Sequence, residues 1–238
     1  MVRLGVLQSG YLPWLGFFDQ INRCDLFIIY DDLQYTKRDW RNRNRIKTSQ
    51  GIFWLTVPIR AKGAIKKRIS QIEICYQQDW PRKHWKALKM NYARAPFFHQ
   101  YSSFFCELYK KRYTYLSQLN RAIIEYCLKQ LGITTPVIYS YEIGIEDEYL
   151  KQCKGKIDPT ERIIYLCKYF GAHTFLEGSA GRNYINKALL KRAGIKLEYQ
   201  DYIHPTYPQL FGPFVPYLSV IDLMFNCGEE SLKILSMR

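Results

Sequence analysis

Two patterns of apolar residues alternate along the chain. Arg3–Gln8 and Asp25–Tyr30 hold continuous apolar runs (Leu4 to Leu7, Leu26 to Ile29), as expected of strands buried on both faces of a parallel sheet. Between them Leu15, Phe17, Phe18 and Ile21 recur at helical spacing, so Trp14–Asn22 is predicted as a helix linking the two strands. Toward the end the alternation returns. Pro136–Tyr139 is a short strand, and Pro159–Phe170 a helix with Asp158 as N-cap and Gly171 as C-cap. His173–Leu176 is a strand running into Glu177-Gly-Ser179, Asn183–Ala193 a helix closed by Gly194, and Ile195–Tyr199 a strand. A Pro-, Tyr- and His-rich loop from Gln200 to Pro216 then leads to a terminal helix over Ser219–Asn226.

The middle of the chain reads differently. Ile52–Ile59 and Ile69–Tyr76 both alternate, which predicts an antiparallel pair joined across a basic turn at Gly63. Trp80–Tyr92 is a helix with Asp79 as N-cap and Pro81 in its first turn, and Pro96–Leu131 supplies one or two longer helices closed by Gly132. The expected fold is α/β: a doubly wound, mainly parallel, Rossmann-like sheet with a β-hairpin and a helical insertion around 79–132, all in a single domain over 1–238.

Open α/β sheets bind ligands beyond the carboxyl ends of their strands. Those loops, Ser9–Trp14, Asp31–Lys37, Ser140–Glu142, Glu177–Ser179 and Gln200–Gln209, hold nearly every unusual polar residue. Asp31-Asp32 could bind a metal, orient an amine or act as a general base, and Glu177 is a candidate partner. His204, in His-Pro-Thr-Tyr207-Pro-Gln209, either lies in the site or pins its loop. His84, His99 and His173 have weaker claims. Gly178-Ser-Ala-Gly181 before a helix is a weak phosphate signal.

Charge sharpens the picture. Thirty-five basic residues against 21 acidic give a net charge of +14, a bias that favours nucleic acid, nucleotide phosphates, acidic carrier proteins or anionic membranes. The excess gathers in Lys37–Lys47, where Tyr, Trp, Asn and Gln interleave with the cations, and again in Arg60, Lys62, Lys66, Lys67 and Arg68. Twenty Tyr either build pockets or fill the core. The seven Cys are scattered, without a C-x-x-C pair, which gives neither a disulfide framework nor a zinc knuckle. Cys106, Cys127 and Cys167 fall at apolar helical positions, whereas Cys153 sits among Lys151, Lys154 and Lys156, which would favour its thiolate. Neither a signal peptide nor a membrane span is read, so a cytoplasmic protein is expected, and no cofactor or metal is called for. Walker A, G-x-S-x-G, H-E-x-x-H and G-x-G-x-x-G patterns are absent.

Gln8 to Trp14, Gly16, Asp25, Asp31-Asp32, Gln34-Tyr35, Trp40, Asn42-Arg43-Asn44, Ile46-Lys47 and Trp54 to Pro58 together resemble the WbqC-like family. The resemblance continues through Tyr92, Pro96, Glu177-Gly-Ser, Tyr184, Gly194-Ile195, Tyr199-Gln200, His204-Pro205, Tyr207, Gln209 and Ser219 to Asp222, reaching Gly228. Ser9-Gly10 stands where the family has a Pro-containing pair. The resemblance implies an aminoacyl transferase, often a glycine transferase, acting on amino-sugar nucleotides in O-antigen or secondary-metabolite biosynthesis. The first βα unit is also similar in layout to nucleotidyltransferase-like folds, whose His-x-x-His this chain lacks.

The first expectation is therefore an amide-forming transferase. Its donor is a carrier-protein thioester, an aminoacyl-tRNA or an adenylate, and its acceptor the amine of a sugar nucleotide or related metabolite. Asp31, Asp32, Glu177 and His204 are the candidate catalytic groups. Arg43, Arg45 and Lys47 would hold phosphates, and Asn42 or Asn44 would stabilise an oxyanion. Gln8, Tyr11, Trp14, Gln34, Tyr35, Lys37, Ser179, Tyr207 and Gln209 complete the binding set. An ATP-dependent ligase or nucleotidyl enzyme is the alternative, and a non-catalytic RNA-binding protein a second one.

Overall fold

The computed structural model describes residues 1–153 and 157–237, which form two compact units built from interleaved stretches of chain. The first comprises residues 1–8, 19–32 and 134–203, and the second residues 9–18, 33–133 and 204–238.

The first unit is the parallel sheet. Its strands are β1 (Val2–Leu7), β2 (Leu26–Ile29), β5 (Val137–Tyr139), β6 (Ala172–Glu177) and β7 (Lys196–Tyr199), in the spatial order β5-β2-β1-β6-β7. Every neighbouring pair is parallel. The apolar runs read from the sequence are these strands, and Leu4, Phe27, Ile28, Ile29, Phe175 and Leu176 are buried in it. Strand β1 can lie this close to β2 because it carries Gly5, where a Cβ would come within 2.7 Å of Cys24 Sγ and of the Phe27 ring. Helix α7 (Pro159–Tyr169) packs on β6, and α8 (Lys187–Arg192) on β7. Asp158 caps α7 by accepting the Thr160 and Glu161 N–H groups at 2.7 and 3.0 Å. Residues 140–152, which carry no clear periodic signal, form α5 (Ser140–Ile143) and α6 (Ile145–Gln152). Buried Glu146 on α6 accepts from Tyr30 Oη and is gripped by both Nε and Nη2 of Arg162 at 3.1 and 3.0 Å.

The second unit holds a two-stranded antiparallel hairpin, β3 (Arg43–Thr48) and β4 (Gly51–Thr56), and a helical group. The hairpin is not the one expected. Ile52–Ile59 was expected to pair with Ile69–Tyr76, but β4 pairs with β3 through a tight turn that Gly51 closes at φ 103°. Between Ile59 and Ile74 there is only an isolated antiparallel bridge, and Ile69–Gln71 is a 3-10 turn. The helical group is α2 (Trp80–Tyr92), α3 (Phe98–Lys110), α4 (Leu116–Leu131), α9 (Val220–Cys227) and α10 (Ser231–Leu235). Its core is aromatic: the rings of Tyr92, Phe98, Tyr101 and Phe105 surround Phe225 at 5.2 to 6.5 Å. Much of the tyrosine excess is thus core, with Tyr11, Tyr30, Tyr92 and Tyr101 almost fully buried. Among the described residues no helix is long and apolar enough to cross a membrane.

Candidate functional site

In the first unit the strand order reverses between β1 and β6, the position at which open α/β sheets leave a crevice. The carboxyl ends of these two strands carry Gln8 and Glu177. Glu177 is buried, and its two oxygens are held separately. Oε1 accepts the Gly178 N–H at 2.9 Å and Oε2 the Tyr184 hydroxyl at 3.0 Å. Burial pushes its carboxyl up from the ordinary range against the pull of those two donors. The carboxylate fits only because residue 181 is glycine, where a Cβ would lie 2.2 Å from Glu177 Cγ. The Gly178–Gly181 run read as a phosphate cradle therefore seats a carboxylate, within a 3-10 turn over Ser179–Asn183 that leaves Ser179 exposed. Next to it Gln200 donates to Asp19 Oδ2 at 2.7 Å, and its carbonyl accepts from Arg23 at 2.7 Å. Asp31 and Asp32 follow β2 and are both buried.

In the second unit the signature loop 9–14 is fastened at every step. Tyr11 is fully buried, its hydroxyl between His84 Nδ1 at 2.8 Å and the Tyr109 hydroxyl. Burial pulls His84 down to about 4, so its ring is neutral at pH 7. Leu12 adopts a left-handed φ of 48°, and its carbonyl accepts from Asn44 Nδ2 at 2.6 Å. Ser9 Oγ accepts from Asn120 at 3.0 Å, a bond that a proline at this position would lack. Trp14 bridges to Ser219, and its ring lies 5.8 Å from that of Tyr217.

The cationic segment that follows surrounds a cavity of about 240 Å³ lined by Tyr35, Lys37, Arg38, Asn42, Arg43 and Thr56, with Ile59, Ala61 and Ala64 as its apolar wall. Tyr35 Oη donates to Asn42 Oδ1 at 3.1 Å, and Asn42 Nδ2 to the Val57 carbonyl at 2.8 Å. Arg38 takes a left-handed φ of 59° and offers its carbonyl to Arg43 Nη2 at 2.8 Å. Gln34 is exposed and donates to the Ile65 carbonyl. Asn42 and Asn44, expected as oxyanion donors, both spend side-chain N–H groups on backbone carbonyls.

Lys47 behaves unlike its neighbours. It is only 3% exposed, and its Nζ donates to Gln209 Oε1 at 3.1 Å and to the Pro213 carbonyl at 2.6 Å. Gln209 Nε2 in turn donates to Asp222 Oδ2 at 2.8 Å. Asp222 also accepts from Tyr207 at 2.9 Å and Tyr92 at 2.7 Å. Burial raises the Asp222 carboxyl, opposed by its three donors and by Lys47. This network anchors the loop that carries His204, whose Nδ1 lies 2.9 Å from the Pro205 carbonyl. A carbonyl only accepts, so Nδ1 carries the proton and neutral His204 bears its lone pair on Nε2. Burial lowers its pKa.

The candidate residues thus divide. Gln8, Asp31, Asp32, Glu177 and Ser179 belong to the first unit, and the remaining candidates to the second. Tyr184, Arg38 and Asp222 were not read as site residues. Asp222 lies in the first turn of α9 and Tyr184 just past a 3-10 turn; the family resemblance includes both, but only their contacts to Gln209 and Glu177 show what they hold. Of the cysteines, Cys127 and Cys167 are buried, and burial pushes the Cys167 thiol up to about 12. Cys106 is half-buried. Lys154 and Lys156, expected beside Cys153, lie outside the described residues. Among the described residues no group of three or more His, Cys, Asp or Glu is placed to hold a metal ion.

The WbqC-like protein family model matches residues 8–234. An uncharacterized protein of Mycobacterium tuberculosis, Rv1507c, is 40% identical over 233 residues, covering 97% of this chain and 96% of its own length. No solved structure matches. A family model spanning nearly the whole sequence and a relative of this closeness agree with the motifs at Gln8–Trp14 and Trp40–Lys47: the chain belongs to the WbqC-like protein family.

Proposed function

We propose that the protein is an amide-forming transferase. It moves an aminoacyl group, glycyl among them, or another acyl group from an activated ester or thioester to the amine of a sugar nucleotide or related phosphorylated metabolite. The observation that carries this reading is the seat of Glu177, at the strand-order reversal. An acceptor ammonium must lose a proton before its nitrogen attacks the donor carbonyl, and it loses a second as the amide forms. A carboxylate whose pKa burial has raised toward the working pH is suited to take that proton. The C–N bond forms, the C–O or C–S bond of the donor breaks, and the proton passes to the departing oxygen or sulfur. Tyr184 and Gly178 fix the orientation of the carboxylate throughout. His204, neutral with its lone pair on Nε2, is the second candidate base. By itself, the cavity with Lys37, Arg38 and Arg43 suits phosphate groups.

The test is amide formation, followed by mass spectrometry, with amino-sugar nucleotides as acceptors and aminoacyl-tRNA or loaded carrier protein as donors. Glu177→Gln keeps shape and hydrogen-bonding capacity, and is expected to lower turnover about 10²–10⁴-fold with the fold intact. Undiminished turnover in that variant removes Glu177 as base. Amide formation that requires ATP consumption replaces the transferase reading with a ligase.

A further inference from the structure

The outward face of the β3–β4 hairpin is unusual for a surface. Strand register places Arg43 opposite Thr56, Arg45 opposite Trp54, and Lys47 opposite Ile52 on one side of the ribbon. Asn44, Ile46 and Leu55 lie on the other side and are buried. On the outward side Trp54 is 40% exposed, and Trp40, 42% exposed, stacks on it with ring centroids 5.4 Å apart. Arg43 lies 4.4 Å over the Trp54 ring and Arg45 5.5 Å over that of Trp40. Neither guanidinium is neutralised by a carboxylate among the described residues. They donate to the carbonyls of Arg38 and Tyr217, and Nε of each is buried without a hydrogen bond. Residues 33–56 contain the six cations Lys37, Arg38, Arg41, Arg43, Arg45 and Lys47 and one carboxylate, Asp39. Asp39 is engaged by Thr36, the Trp40 N–H and Arg41.

We infer that this face docks a short single-stranded RNA segment, and that the activated donor of the proposed reaction is an aminoacyl ester on an RNA 3′ end. The second half rests on the transferase reading above; the docking does not. A half-exposed pair of stacked indoles beside unneutralised guanidinium groups matches a chain that repeats a flat base and a phosphate. An acidic protein surface would pair with the cations but offer the exposed parts of the two indoles nothing flat to stack on. The cationic cavity lined by Lys37, Arg38 and Arg43 continues the face through Arg43. From Arg43 to Arg45 the ribbon advances two residues, about 7 Å, which accommodates two stacked bases.

The experiment is fluorescence anisotropy of a labelled single-stranded 12-nucleotide RNA ending in CCA, titrated with the full chain at several salt concentrations. UMP, GMP and a duplex of the same length serve as competitors. Saturable binding that weakens with salt is expected, with a log–log slope of about −0.7 for each phosphate neutralised. Trp54→Ala and Trp40→Ala should each weaken it roughly 5- to 100-fold, and Trp54→Phe should restore most of the loss. Lys129→Ala, on an exposed turn of α4, should leave it unchanged. Three results would each overturn the docking: no saturable binding, no dependence on Trp40 and Trp54, or mononucleotides competing as well as the oligomer. RNA binding without transfer from aminoacylated RNA removes the reaction and spares the docking. Transfer from a carrier thioester without RNA binding overturns both the docking and the RNA donor, and spares only the transferase reading.

Discussion

Replacing Asp222 by Ala should destabilise the second unit by about 3–5 kcal/mol, the range for breaking a buried charge cluster from one side. The change strips the acceptor from Tyr92, Tyr207 and Gln209 at once, which bond it at 2.7, 2.9 and 2.8 Å. Hydrogen bonds to a charged group are worth about 1.5–3 kcal/mol each, so the gross loss is roughly 4.5–9 kcal/mol. Against this stands the several kcal/mol regained by no longer burying a carboxylate. Lys47 loses its nearby counter-charge as well, while its Nζ remains among Gln209 and Pro213. Asp222→Asn keeps the shape and one acceptor oxygen for Tyr207 and Gln209, and its new N–H, in place of Oδ1, can donate to Tyr92 once that hydroxyl turns; about 1 kcal/mol is expected. Tyr207→Phe, which removes one bond of the three, should cost about 1.5 kcal/mol. All five tryptophans (14, 40, 54, 80 and 85) belong to the second unit, so tryptophan fluorescence in urea reads the unit that carries the substitution. A loss below about 1 kcal/mol for Asp222→Ala, or equal losses for Ala and Asn, would show that the carboxylate does not organise this loop.

Two further outcomes concern the strand-end carboxylate. Gly181→Ala would put a methyl 2.2 Å from Glu177 Cγ and must move that side chain; amide formation should fall at least about tenfold, with far-ultraviolet circular dichroism unchanged. Because burial raises the Glu177 carboxyl in the folded chain, the folded state holds its proton to a higher pH than the unfolded one. Its contribution to stability is therefore full below the unfolded value near 4.5 and is lost as pH rises through the folded value. Glu177→Gln cannot titrate, so its stability relative to the parent should improve between about pH 4 and pH 8. Urea unfolding followed by circular dichroism at the two pH values measures this, and a relative stability that falls with pH contradicts the sign.

Continuous apolar runs made the parallel sheet legible, because a strand buried on both faces needs no partner to declare itself. The hairpin was missed for the opposite reason. In Arg43–Thr48 two of the three outward positions are arginines that lie over indole rings, and one of the inward positions is Asn44, which bonds the Leu12 carbonyl. Apolar–polar alternation is absent although the geometry is a strand. Ile69–Tyr76 shows the converse. Ile69, Ile72 and Ile74 are all buried, but their spacing of three and then two serves a 3-10 turn followed by isolated bridges. The ladder was misread there, since alternation says nothing of a neighbour to pair with.

Site residues divide along the same line. Glu177 was visible because a carboxylate immediately after an apolar run sits where parallel sheets gather ligands. Lys47 looked like one more phosphate ligand beside Arg43 and Arg45, since strand alternation puts all three on one face of the ribbon. What separates it is Gln209, 162 residues further along the chain, whose loop closes over this lysine while Trp54 and Trp40 remain open beside the two arginines. Cations on the same face thus serve packing at one end of the ribbon and are offered to solvent at the other. Local sequence cannot encode that division, because the enclosing contacts to Lys47 all come from residues past 90. The functional reading of this face accordingly rests on the two arginines and the two open indoles, and the cluster of cations as counted in the sequence overstates it by the one that is enclosed.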